Sequence, residues 1–259
     1  APASSAGRSG FWSGRSKKNQ LSTINLIMCT FKERGAIART MGADSTAAGL
    51  TEEQAAVYDR QLRVWGVEAQ RRLGASRILV AGLTGLAAEA CKNVALAGVG
   101  AVVLYDDGAP AKDAAPGNFL AAAGLADAAG TPDAEGLTVA AATAATLREM
   151  NPFGEISILA GPSDLSGIDV AAVTGCDAVL VAGCPLAVAE QINDACREAG
   201  AAFFHGECRA TSANFFADLG PDFRYTVEKR SAEKEADAGA VDTAMSASFV
   251  TLREATRCG

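Results

Sequence analysis

Between Arg77 and Gly100 the chain reads RILVAGLTGLAAEACKNVALAGVG. A short apolar run closes on Gly82, and an alanine-rich stretch from about Gly85 to Ala97 follows after a turn. Strand, glycine turn and helix in that order form a βα unit, whose two ends must pack against each other. The rest of the chain repeats the alternation. AVVLYDD ends a second strand at Asp106, and EISIL, DAVLVAG, AAFFHG and ANFFADL read as further strands. The helix TVAAATAATLREM stops at Asn151-Pro152, because the residue before a proline is pushed out of helical φ/ψ. LAVAEQINDACREAG is a second such helix, closed by Gly200. Alternating strands and helices predict an α/β fold with a mostly parallel twisted sheet and helices on both faces.

Upstream, LTEEQAAVYDRQLRVWGVEAQRRL (50–73) opens with Thr51 and Gln54 in capping-box spacing. Its apolar positions Ala55, Tyr58, Leu62 and Trp65 follow a helical period. Gly66 is expected to end that helix, and a short second one carries Val67 to Leu73. Residues 108–136, rich in Ala, Gly, Pro and Asp, read as loop. EKRSAEKEADAGAVD (228–242) reads as a charged crossover, and SFVTLREAT as a last strand leading into a helix.

Composition narrows the function. Hydrophobic residues make up 49% of the chain, enough for a sizeable core, while only 6% is aromatic, which favours α/β over a β sandwich. No run of 18 apolar residues occurs, so no membrane span is expected. The net charge is −7, but residues 1–40 hold seven Lys/Arg and one acid, net +6, which leaves −13 on the remainder. An acidic body argues against nucleic acid as the main partner. Residues 1–49 read as a disordered extension, either a transit peptide or upstream sequence ahead of Met41, where MGADST matches a myristoylation pattern. Seven cysteines without a C-x-x-C pair read as free thiols in a reducing compartment. His205 is the only histidine, and with Glu207 and Cys208 alone it makes no metal site.

The turn itself supports two readings. A Rossmann-like dinucleotide turn spends one glycine on the bend, a second on letting phosphate reach the backbone, and a third on helix–strand packing. Gly82 supplies the bend, Thr84 holds the second place with Gly85 behind it, and Ala87 holds the third. Asp106, at the end of the next strand, stands where a ribose-binding acid belongs. Gly82, Gly85 and Asp106 are therefore the candidate nucleotide contacts. The same residues fit an NAD(P)-dependent oxidoreductase, or a turn that keeps the shape without full ligand contact.

The motifs around the turn add more. YDRQLRVWG (58–66), GLTGLAAEACKNVALAGVG (82–100), YDDG (105–108), NFL (118–120), NP (151–152) and INDACREAG (192–200) resemble, in order and spacing, the ubiquitin-like-protein activating family, with its ThiF/MoeB adenylyltransferases. Together they span roughly residues 50–226. Within the family they resemble the non-catalytic side of the SUMO-activating branch, in its plant-type form. The resemblance implies a ThiF-type fold, so residues 50–259 are expected to form one adenylation domain. It also implies further helix and strands after SFVTLREA, so the domain is expected to be incomplete at its C-terminus.

Active members use ATP and Mg²⁺ to adenylate a C-terminal glycine carboxylate. They carry an arginine before Phe-Leu, a lysine ahead of Asn-Pro, and an aspartate after the fourth strand that holds the metal. Here those places fall on Gly117, on a stretch with no lysine between Lys112 and Lys229, and on Cys184. The resemblance therefore implies a half that cannot adenylate alone and binds neither ATP nor metal in its own turn. In the family, the arginine of the YxRQ helix reaches across a heterodimer to the ATP phosphates of the live half, and Arg60 matches it. The implied partners are the catalytic subunit, which holds ATP, Mg²⁺ and the thioester cysteine, and SUMO itself. The implied place of work is the nucleus, extending to the cytoplasm. The inactive half of a ubiquitin-activating enzyme is the alternative within the family.

Overall fold

The computed structural model describes residues 50–114, 117–132, 135–227 and 243–257. The expected extension at 1–49 and the crossover at 228–242 lie outside the described residues.

Strand β1 (Arg77–Ala81) explains the architecture. Ile78 and Val80 point to one layer and Leu79 and Ala81 to the other, and all four are buried. A strand with both faces covered needs no polar alternation, which is why the segment reads as one apolar run. Each Leu or Val fully buried in this way contributes about 1.5–3 kcal/mol. β2 (Ala101–Asp106), β3 (Glu155–Ala160), β4 (Ala178–Ala182), β5 (Ala202–Arg209) and β6 (Ser212–Asp218) complete a six-stranded sheet of order β3-β2-β1-β4-β5-β6. The first five strands run parallel, and β6 pairs antiparallel with β5.

On one face lie α2 (Asp59–Ala75), α3 (Gly85–Leu96), α4 (Phe119–Asp127) and α5 (Val139–Met150). They bury Leu73, Val94, Leu120 and Leu147 against the sheet. On the other lie α6 (Val170–Val173), α7 (Leu186–Ala199) and α8 (Leu252–Arg257), burying Val173, Ile192, Cys196 and Leu252. Helix α1 (Glu52–Val57) precedes α2, and a separate hairpin pairs β7 (Phe223–Val227) with β8 (Thr243–Ala247). The sheet order and two helical layers are those of a Rossmann-like α/β fold. No helix among the described residues is long and apolar enough to cross a membrane.

Three local expectations change, and the break at Gly66 stands as read. The 50–73 segment breaks at Tyr58, so α1 and α2 are separate helices, although the Thr51–Gln54 capping box forms as read. Gly66 ends the first helical stretch as expected: at φ 81° and ψ 168° it lies outside helical geometry, and α2 is two helices that meet across it, the second running to Ala75 rather than stopping at Leu73. Residues 108–136 are not all loop, since α4 lies within them. Gly124, which reads as a breaker, is the crossing point of α4 and α5: a Cβ there would stand 2.3 Å from the Ala142 carbonyl oxygen. Finally, the last strand is Thr243–Ala247, ahead of SFVTLREAT, of which only the part from Leu252 is helical.

INDACREAG has a structural purpose. Ile192 and Cys196 enter the core, and Gly200 takes the left-handed conformation that ends α7. Buried Asp218 accepts from Arg197 Nε at 2.6 Å and Asn193 Nδ2 at 2.8 Å. Asn193 Oδ1 in turn accepts from the Leu252 backbone N–H at 2.7 Å. This knot ties α7, the end of β6 and the start of α8 together, with the buried carboxylate satisfied on both oxygens by Arg197, Asn193 and Gly220 N–H.

Candidate functional site: a crevice and a ledge

The strands on either side of the β1/β4 boundary are reached in opposite directions, so the carboxyl ends of β1 and β4 frame the switch point where open α/β sheets take ligands. A crevice of about 270 Å³ lies there, lined by Thr84, Gly85, Leu86, Gly183, Gly206, Glu207 and Cys208. Gly82 makes the bend at φ 69°, where any Cβ would stand 1.8 Å from the Ala182 carbonyl oxygen of β4. Only glycine fits that approach.

The remaining turn residues pack closely against their neighbours. Thr84 caps α3, its hydroxyl accepting from the Ala87 N–H at 3.5 Å, and its methyl lies against Gly183, where a Cβ would come within 2.7 Å of it. Gly85 meets backbone: a Cβ there would be 3.1 Å from the Gly117 carbonyl oxygen. Leu86 reaches across to β5, where a Cβ on Gly206 would meet its Cδ2 at 2.6 Å. Ala87, in the third glycine place, is fully buried. At the helix N-terminus that would meet phosphate, a threonine and a leucine line the crevice and a neighbouring loop packs against Gly85.

Its electrostatics oppose phosphate as well. Among the described residues, no lining residue is a cation. Glu207 is held ionised, below the usual carboxylate range, chiefly by hydrogen bonds from Arg209 at 2.6–2.8 Å. That pair leaves Arg209 committed to a carboxylate. Cys184, in the place of the metal-holding aspartate, is buried, and burial with the nearby Glu207 charge pushes its thiol up, so it stays neutral. A nucleoside triphosphate with its metal does not fit this donor set.

Asp106 is engaged in the fold. Its Oδ1 accepts from Gly108 N–H at 2.8 Å and its Oδ2 from the Thr138 hydroxyl at 2.7 Å. Thr138 also caps α5, so Asp106 links the end of β2 to the start of that helix. His205 is buried on β5 with Nε2 unbonded and does not line the crevice; burial lowers its pKa, with Glu207 pulling the other way. Burial takes the Cys91 thiol to about 12, which makes it a small hydrophobe rather than a nucleophile.

The YDRQ segment forms a ledge at the opposite end of α3. Tyr58 is buried, and its hydroxyl accepts from Asn151 Nδ2 at 2.8 Å. The same amide donates to the Ala95 carbonyl at 2.6 Å. Gln61 Nε2 donates to the Leu96 carbonyl at 3.1 Å and Gln70 Nε2 to that of Ala97 at 2.8 Å. Trp65 Nε1 donates to Gln70 Oε1 at 2.9 Å. Three amides therefore satisfy the orphan carbonyls at the end of α3. Gly98, at φ 86°, has room for no Cβ because Gln70 and Tyr58 press on it. Asn151 reads in sequence only as a helix stop, and Gln61 and Gln70 pass unnoticed. An amide on the apolar side of an amphipathic helix is the signal that would have marked them.

Arg60 stands on this ledge, exposed, and forms no hydrogen bond or ion pair with the described residues. Its neighbours are committed: Arg63 pairs with Asp59 at 3.0 Å, and Arg71 and Arg72 with Glu68 at 3.3 and 3.2 Å. The Asp59–Arg63 pair sits at i,i+4 spacing and leaves Arg60 without the carboxylate beside it in sequence. Helix α3 has 12 residues, so about 18 Å separates its turn end from the end that Gln61 caps.

Sheet order and glycine turn together define a Rossmann-like α/β domain. The ThiF family model matches residues 58–249, and the chain belongs to the ThiF family. Among curated proteins it is 38% identical over 182 residues to SUMO-activating enzyme subunit 1A of Arabidopsis thaliana, covering 70% of this chain and 54% of the relative. It is 37% identical over 182 residues to subunit 1B-1 of the same plant, with the same coverages. The human SUMO-activating enzyme subunit 1 is 31% identical over 191 residues, covering 74% and 52%. The chain spans about half the length of the curated relatives it matches.

Proposed function

We propose that this chain is the non-catalytic, regulatory subunit of a heterodimeric SUMO-activating enzyme, and that it supplies Arg60 in trans to the site where its partner adenylates SUMO. The observation that carries this reading is the uncommitted Arg60 at the far end of α3 from a crevice that has no cation of its own. A guanidinium about 18 Å from its own turn serves a site on another molecule better than its own.

ATP and Mg²⁺ belong in the partner's site, where attack of the SUMO C-terminal carboxylate on the α-phosphate releases pyrophosphate. Arg60 contributes fixed, permanently charged donors beside the triphosphate. Charge shifts toward the leaving pyrophosphate as the bond breaks, and a pre-positioned cation stabilises that state more than the ground state. Tyr58, Gln61, Gln70 and Asn151 act as positioning residues, because they fix the helix from which Arg60 projects. Residues 50–259 thus serve as an inactive adenylation domain that binds no nucleotide or metal unaided. Its partners are the catalytic subunit and SUMO, with no role for nucleic acid or membrane, and it works in the nucleus and also in the cytoplasm.

The test is ATP–pyrophosphate exchange by the reconstituted heterodimer. Arg60→Ala is expected to lower the rate about 10³-fold or more, the range seen for an arginine supplied to a phosphoryl transition state. Exchange at the unaltered rate contradicts the reading.

A further inference from the structure

The crossover from β3 to β4 is short. Its helix α6 is the four residues Val170–Val173, capped by Asp169 and followed at once by Thr174 and Gly175, whereas α7 beside it has 14. About 6 Å of helix cannot flank about 21 Å of α7. One side of α7 therefore stays open, and a cleft of about 340 Å³ runs between it and residues 165–170. The floor is apolar: Val188, Ile192 and Ala195 recur at helical spacing along α7, and Leu165 and Val170 line the other wall. Leu165 is buried and held at φ 60°, a conformation a bulky side chain rarely adopts.

The rim is acidic, and its carboxylates come from both walls, Asp169 at the start of α6 and Asp194 and Glu198 on α7. Asp194 pairs with Arg253 at 2.7 Å. Asp169 accepts the Ala172 N–H at 2.9 Å, a helix cap that brings it no cation. Glu198 is exposed and forms neither a hydrogen bond nor an ion pair with the described residues. The nearest arginine on α7, Arg197, is committed to Asp218 at 2.6 Å. Among the described residues, no cation lines the cleft.

We infer that this cleft binds a basic segment of another protein, seating a lysine or arginine side chain flanked by apolar residues. Long cationic side chains lay their stems on apolar surface and keep the charged head outside. Here the stem lies along Val188, Ile192 and Ala195, and the head stops at the rim between Asp169 and Glu198. Charge complementarity selects this occupant. An anion would meet two carboxylates with no cation between them, and an apolar ligand would leave both uncompensated. Size agrees: the cleft lies at the low end of ligand-pocket volumes, enough for one long side chain and its neighbours. The −13 carried outside residues 1–40 draws a basic partner toward this face. The site is separate from crevice and ledge and does not depend on the proposed function.

The probe is a fluorescein-labelled peptide, Leu-Lys-Val-Arg-Leu with both ends blocked, titrated with the full chain and followed by anisotropy. Saturable binding is expected, weakening as salt rises from about 0.05 to 0.5 M. Asp169→Asn/Glu198→Gln weakens it about tenfold, the loss of two exposed ion pairs together. Asparagine still caps α6, and Glu198 is exposed, so the fold is kept. Glu149→Gln/Glu155→Gln removes the same charge from exposed positions on α5 and β3, and affinity stays within about twofold. The same peptide with norleucine in place of lysine and arginine does not bind. Equal affinity in Asp169→Asn/Glu198→Gln and the unaltered chain, or binding of the norleucine peptide, overturns the site. A chain without residues 1–40, which carry +6, binds the peptide as the full chain does; about tenfold tighter binding would mean that its own extension fills the cleft, and overturns the assignment to another protein.

Discussion

The crevice and the ledge are the two ends of one helix, and they have opposite characters. At the N-terminal end of α3 the side chains are engaged within the chain: Thr84 caps the helix, Leu86 crosses to Gly206, Glu207 holds Arg209, and Asp106 holds Thr138. At the C-terminal end, three amides lock the backbone of the ledge in place, and its outer side chains, Val57, Arg60 and Val64, are left open. A site that has become part of the fold is satisfied internally. A site that works on another molecule is rigid in its support and unsatisfied at its surface. Under the proposed function, the working group of this chain is on the ledge, not in the crevice its fold advertises.

The largest expected effect separates two arginines on one helix. Arg60→Ala is expected to cost about 10³-fold in pyrophosphate exchange. Arg63→Ala, whose guanidinium already pairs with Asp59, costs less than about threefold, as exposed ion pairs contribute little. Equal losses would erase the distinction between a free and a committed guanidinium. The second effect tests the crevice as framework. Gly82→Ala forces a methyl onto the Ala182 carbonyl at positive φ, and destabilisation of about 3 kcal/mol or more is expected in urea unfolding. A loss below about 1 kcal/mol would mean that the turn still has the slack of a ligand site.

The smallest effect concerns pH. Burial keeps His205 neutral in the fold, below the ordinary imidazole value of about 6.5. The unfolded chain therefore takes up that proton first, and stability falls as pH drops below about 6.5 toward the folded value. His205→Gln removes this component, so the loss of urea stability between about pH 7 and 5 becomes shallower. An unchanged slope would show that the imidazole titrates alike in both states. The carboxylates held low, Glu207, Glu254 and Asp164, act in the same direction at lower pH: their stabilisation is present at neutral pH and lost further down, as pH falls through their own depressed values.

Much of this was legible in the residues. An apolar run ending in Gly82 meant a strand with two covered faces, and Asn151-Pro152 and Gly200 stopped their helices where expected. The missing cations of the turn are missing in sequence as well. What the sequence concealed follows from close packing. AAAGLADAAG hides α4 because an alanine–glycine crossing needs neither periodicity nor bulk, and Gly124 looks like a breaker until the Ala142 carbonyl stands against it. Asp106 matched a ribose contact by position, yet position cannot tell that Thr138, 32 residues on, already occupies it. The amides under the ledge escaped for the same reason: their partners are carbonyls, which have no letter of their own.

The most direct test is a structure of the chain with the catalytic SUMO-activating subunit and a non-hydrolysable ATP analogue. The account predicts one nucleotide, in the partner, with the Arg60 guanidinium within hydrogen-bond distance, about 2.7–3.2 Å, of a phosphate oxygen. Nucleotide seated in this chain's own turn, or Arg60 directed into solvent away from the triphosphate, would contradict it.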